Sequence, residues 1–163
     1  MRPRLLRAAI VREVALTWLD EPGHAFDART FAQVHRVSAL EVGRVLVDLR
    51  DAGQVFLRRE DDTCAPHTVT LTREGQRMWM QEQAESCLPG IRQQLRAVYQ
   101  VLQTADRPLS VAQLETEVPF TARRVRQVLL IMHSLGTMQA TLGQDGAFAD
   151  IHVPGSLGAI QTG

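Results

Sequence analysis

Between Thr121 and Gly136 the chain carries Arg123, Arg124, Arg126 and Gln127 and no acidic residue. A guanidinium offers a planar fork of donors that matches a phosphate or a guanine edge, and a glutamine amide pairs in the same two-pronged way with adenine. If Val125, Val128, Leu129 and Met132 form the core face of a helix here, those four polar residues point outward. The chemistry this arrangement suits is contact with a nucleic-acid duplex, with Thr121 at the helix start. The bland alternative is a solvated arginine face.

A second stretch has the same plan and a different surface. Ser38-Ala39-Leu40-Glu41-Val42-Gly43-Arg44-Val45-Leu46 aligns, at an offset of 83, with Thr121-Ala122-Arg123-Arg124-Val125-Arg126-Gln127-Val128-Leu129. Its outward set is Leu40, Glu41, Gly43 and Arg44. Glu41 could accept from a cytosine amino group, but a carboxylate is more often repelled by the backbone. Gly43 permits close approach of another backbone. Arg29 and Arg36 lie nearby and could grip phosphates. Beyond them Arg58 and Arg59 could enter a minor groove, although Glu60, Asp61 and Asp62 follow at once.

Other clusters suggest weaker chemistry. Cys64 and His67 have a two-residue spacing, but a tetrahedral metal site needs more ligands, so no metal or cofactor is expected. His24, His35, His133 and His152 are scattered without a nearby nucleophile. No phosphate loop, GxSxG elbow or HExxH occurs, so no enzymatic activity is expected. Met78-Trp79-Met80 offers adaptable apolar area. Met78, Trp79 and the apolar Leu40 suit either packing between domains or a contact with a second copy or another protein.

These residues must be positioned by a duplicated set of elements. Gly53 and Gly136 each lie seven residues beyond the aligned segments, and Asp27 and Ser110 cap a shorter helix ahead of each. Phe31 and Leu114 follow those caps, and Leu19 matches Leu102. Agreement in kind at caps, core positions and terminal glycines indicates two copies of one supersecondary unit. In the first copy the spacing predicts helices over 5–19, 28–35 and 39–52, strands near 54–58 and 68–72, and a helix over 76–86. In the second it predicts helices over 91–104, 111–117 and 122–135, and strands near 137–142 and 147–153. Pro119 blocks extension of the middle helix, and Gly143-Gln144-Asp145-Gly146 is a turn.

Three helices followed by a two-stranded hairpin resemble the winged helix-turn-helix superfamily of bacterial regulators. The resemblance rests on Ser38 through Gly53, on Gln54-Val55 and Leu71-Thr72-Arg73-Glu74-Gly75, and on their counterparts in the second copy. It implies a mainly α fold with small β-hairpin wings (α+β), as a tandem of two winged helix-turn-helix domains. The expected division is domain 1 over 1–75, a linker helix over 76–88, domain 2 over 89–153 and a flexible tail over 154–163. The resemblance also implies that the third helix of a unit is the recognition helix, and that helices outside the wing serve dimerisation. The leading expectation is a sequence-specific double-stranded DNA-binding regulator, reading DNA chiefly through the second copy. The alternative is a protein-interaction module of the kind that clasps the kleisin in bacterial chromosome-condensing complexes.

Composition bounds both readings. The chain has 163 residues and is 45% hydrophobic, enough to build a core. All 18 basic residues are arginine, and formal net charge is zero. Residues 1–87 hold 12 arginines against 13 acids, a balance of −1, and residues 88–163 hold 6 against 5, a balance of +1. Neither half is a basic slab, so DNA affinity would rest on local clustering. Two cysteines exclude a disulfide framework. No apolar run is long enough for a membrane span. Arg7, Arg12 and Glu13 interrupt any signal-peptide core behind Met1-Arg2-Pro3-Arg4, so a cytoplasmic location is expected.

Overall fold

Proline suits the first turn of a helix, where its missing N–H would have no partner and its φ is already helical. The computed structural model, which describes residues 2–155, enters α1 (Pro3–Asp20) at Pro3. Leu6, Ile10, Val14 and Leu19 form its buried stripe. The chain divides into two compact units, Met1–Cys87 and Leu88–Gly163. It is mainly helical, with two small antiparallel two-stranded hairpins. Among the described residues no helix is long and apolar enough to cross a membrane.

In the first unit α1 is followed by α2 (Ala28–His35) and α3 (Ala39–Asp51), then β1 (Val55–Leu57) paired with β2 (Val69–Leu71). The helix starts follow from their caps. Asp27 accepts the Arg29 N–H at 3.0 Å and the Thr30 N–H at 3.3 Å, and the Ser38 hydroxyl accepts the Glu41 N–H at 3.1 Å. Between α2 and α3 the chain turns through Arg36, whose φ of 55° is left-handed. Phe31, Val42, Leu46 and Leu49 join Leu6, Ile10 and Val14 of α1, with Val55 and Val69, in one core.

The expected linker helix instead belongs to the first unit. It forms α4 (Arg73–Glu82) and the short α5 (Ala84–Cys87), and α4 packs on α1 and β2. It begins three residues before the expected Gln76, because the Thr72 hydroxyl accepts the Gly75 N–H at 3.0 Å and caps it there. The break after Glu82 falls at Gln83, whose side chain donates to the Ala8 carbonyl at 3.2 Å.

The second unit has α6 (Ile91–Thr104), α7 (Val111–Glu117), α8 (Ala122–Leu135) and the hairpin of β3 (Gln139–Leu142) with β4 (Phe148–His152). Ser110 and Gln113 cap α7 reciprocally, and the Thr121 hydroxyl accepts the Arg124 N–H at 3.2 Å at the start of α8. Gly53 and Gly136, which follow α3 and α8, have φ of 74° and 75°, the left-handed conformation that glycine enters without a Cβ penalty. Each unit also holds one antiparallel bridge before its second helix, Phe26 with His67 and Leu109 with Ile151. The expected tail over 154–163 lies, from residue 156 on, outside the described residues.

Two expectations follow. A Cβ at residue 75 would overlap the Gln54 carbonyl oxygen, which already accepts the Thr72 N–H at 3.0 Å. Gly75→Ala should therefore destabilise the chain by about 2–3 kcal/mol in urea unfolding, because backbone must shift to make room. The second concerns acid. The Thr30 N–H first, and after it the Thr30 hydroxyl, the Arg29 N–H and the Arg29 charge, hold the Asp27 carboxyl below the usual carboxylate range, against a burial effect second only to the Thr30 N–H. A carboxyl whose pKa is lowered on folding adds stability above its unfolded value and loses it as pH falls through its folded value. Asp27→Asn should flatten the dependence of stability on pH below about pH 4, read from thermal unfolding across a pH series.

Candidate functional site

The exposed part of α8 is smaller than its sequence suggests. Val125, Val128, Leu129 and Met132 are buried as the helical spacing requires, but Gln127, Leu130 and Ile131 are buried too. Gln127 is only 5% exposed, so it does not point outward. The reason is the unbroken apolar run Val128 to Met132, which cannot fit on one face of a helix and creates a second buried face. Gln127 sits three and four residues before Leu130 and Ile131 and shares that second face. Arg124, three residues further back, is half-buried, and its Nη1 atom has no hydrogen-bond partner. The outward guanidiniums are therefore Arg123 and Arg126, beside the exposed Thr121 and Ala122.

Arg123 and Arg126 border a cleft of about 480 Å³. Val111 and Glu115 of α7 form one wall, and Ala122 and Leu129 of α8 another. The third is the hairpin turn, with Asp145, Gly146, Ala147 and Phe148. The cleft thus has apolar side chains among its lining, cations on α8, and anions on α7 and the hairpin turn. By sequence, Asp145 and Gly146 belong to the turn of a second hairpin that has no arginine and is a poor DNA contact, and Glu115 and Phe148 have no role. The useful signal was the offset of 83, which places Asp145 and Ala147 opposite Asp62 and Cys64.

In the first unit the corresponding corner is filled. A Cβ on Gly43 would lie 2.7 Å from Thr63 Oγ1 and 3.3 Å from Cys64 Sγ. The Cys64 thiol donates to the Ala39 carbonyl at 3.4 Å. Gly43 is buried beneath this loop and is not part of an outward set. Leu40, Glu41 and Arg44 remain exposed on α3, with Arg36 in the preceding turn and Arg29 on α2.

The basic hairpin residues are partly engaged. Arg59 pairs with Asp61 at 3.3 Å, and this hydrogen bond and charge hold the Asp61 carboxyl below its usual range. Glu60 pairs with Arg50 at 3.5 Å. Arg58 is exposed. Cys64 and His67 turn to different partners, because His67 is buried with Nδ1 2.7 Å from the Ala65 carbonyl oxygen. Trp79 is 1% exposed and has no surface to give a partner, whereas Met78 is half-buried and Leu40 is 60% exposed. Met78 and Leu5 border a cavity of about 400 Å³ between α1 and α4.

No protein-family model matches the chain, and no curated protein matches it.

The seat of the hairpin loop on α3 can be tested through its thiol. Gly43→Leu should lift residues 62–65 off the helix, since the added side chain occupies the place of Thr63 and Cys64. In a Cys87→Ser background, the rate of Cys64 alkylation should rise about tenfold, as expected when a local closed state is lost. An unchanged rate would show that the loop does not depend on this seat.

Proposed function

We propose that each unit is a winged helix-turn-helix domain and that the chain is a sequence-specific double-stranded DNA-binding regulator. The observation that carries this reading is the exposed pair Arg123 and Arg126 at the first turn of α8, with the hairpin turn beside it. A recognition helix contacts base edges with its N-terminal residues, and a helix N-terminus is itself favourable to phosphate. The role that the sequence gave to four side chains therefore falls to two, with Thr121. In the first unit Arg44, Arg36 and Arg58 supply phosphate contacts, and Arg59 is the weaker contributor because Asp61 occupies it.

A second reading, a protein-interaction module, is favoured by a different observation. Val34, Leu40 and Phe56 of the first unit are 72%, 60% and 65% exposed. Large apolar side chains standing open suit a protein partner better than a phosphate backbone.

The test is binding of random and selected duplexes across a salt series. Arg123→Ala with Arg126→Ala should leave the fold intact, since both side chains are exposed. It should weaken the selected duplex at least tenfold and lower the salt slope by about 2, roughly 0.9 for each phosphate no longer neutralised. Full affinity in the double variant would remove α8 as the reading element. No salt-dependent binding by the unaltered chain at about 50 mM salt would favour the interaction module.

A further inference from the structure

The two units close the same corner in different ways. In the first, Thr63 and Cys64 lie over Ala39 and Gly43. Eighty-three residues later those positions are Gly146, Ala147, Ala122 and Arg126, and all four border the open cleft. The turns are anchored alike. Asp62 Oδ1 accepts the Cys64 N–H at 3.1 Å, and Asp145 Oδ1 accepts the Ala147 N–H at 3.1 Å. The cleft therefore comes from the loss of two side chains at a shared turn. The first unit shows that this architecture has no need of an open corner.

The lining has a definite chemistry. Val111, Ala122, Ala147 and the edge of Phe148 make it apolar in part, and the cavity of about 480 Å³ falls within the range of small-molecule sites. Arg126 and Glu115 border the same space yet form no ion pair with each other among the described residues. Two opposite, solvent-facing charges bordering one apolar cleft suit a ligand that carries both. We propose that this cleft binds a small zwitterion with an apolar body, an α-amino acid of the leucine or phenylalanine type. Its carboxylate meets Arg126, its ammonium faces Glu115 and Asp145, and its side chain lies against Val111, Ala147 and the edge of Phe148. Charge-assisted hydrogen bonds at both ends supply the selectivity, because an analogue lacking either group forms one fewer of them.

This inference stands apart from the DNA reading, since it is tested with no duplex present. The full chain, labelled with nitrogen-15, is titrated with L-leucine and with L-phenylalanine. Saturable amide shifts are expected within 111–129 and 143–149, with a Kd on the order of 1 mM or tighter for ligands of this size. The probes 4-methylpentanoate, which lacks the ammonium, and isopentylamine, which lacks the carboxylate, should bind at least tenfold more weakly. Arg126→Ala and Glu115→Gln should each weaken L-leucine to the same degree. Ala147→Leu, at an exposed turn residue, should fill the corner and abolish the shifts while leaving the rest of the spectrum unchanged. Absence of saturable shifts up to about 20 mM, well past the expected affinity, would overturn the proposal. So would shifts confined to other residues, or equal binding of 4-methylpentanoate and L-leucine.

Discussion

The third helix of each unit must bury enough side chain to hold its core, and on the function proposed above it must also leave its first turn open. In α8 these demands compete directly. The run Val128 to Met132 commits two faces to burial, so that Gln127 and half of Arg124 are withdrawn with it. In the first half of α8 the exposed polar residues are Arg123 and Arg126, with Thr121 before them, and His133 is exposed near its end. In α3 the buried apolar residues keep to one face, and Leu40, Glu41, Arg44 and Asp48 stay exposed, but Gly43 among them is covered by the chain's own hairpin loop. Each unit thus offers a short working surface, placed by its core.

Electrostatics sharpen this point. Both halves are close to neutral, so no long-range field draws a polyanion to either. The acids are also placed where they matter. Asp61 engages Arg59, Glu60 engages Arg50, and Glu115 faces the arginines of α8 across the cleft. Whatever the second unit binds is selected at short range by a few groups, and the neighbouring carboxylates disfavour indiscriminate attachment to phosphate.

Much of this organisation was legible because capping is local chemistry. Asp27, Ser38, Ser110 and Thr121 announce helix starts through hydroxyl or carboxylate oxygens a few residues from the N–H they accept, and Gly53 and Gly136 mark the ends. The repeat at 83 could be read from those positions alone. Features that depend on distant parts of the chain were not legible. The bridge positions Phe26 and Leu109 are single pairings, too short for an alternating pattern. Gly43 looked like an open position because its cover, Thr63 and Cys64, arrives from twenty residues away. Gln127 and Arg124 were misplaced because a count of one apolar face takes no account of a second. Trp79 looked like a contact residue by type, and the structure uses its whole surface inside.

The two helix-to-helix turns differ in a way that bears on how readily each unit opens. At an offset of 83, the left-handed Arg36 corresponds to Pro119. Arg36 holds a conformation that costs an ordinary residue about 1–2 kcal/mol, a strain released whenever α2 and α3 separate. Proline restricts the unfolded chain instead, so separation of α7 from α8 recovers less backbone entropy. The earlier turn therefore carries a local backbone cost where the later one carries a restriction on the unfolded chain.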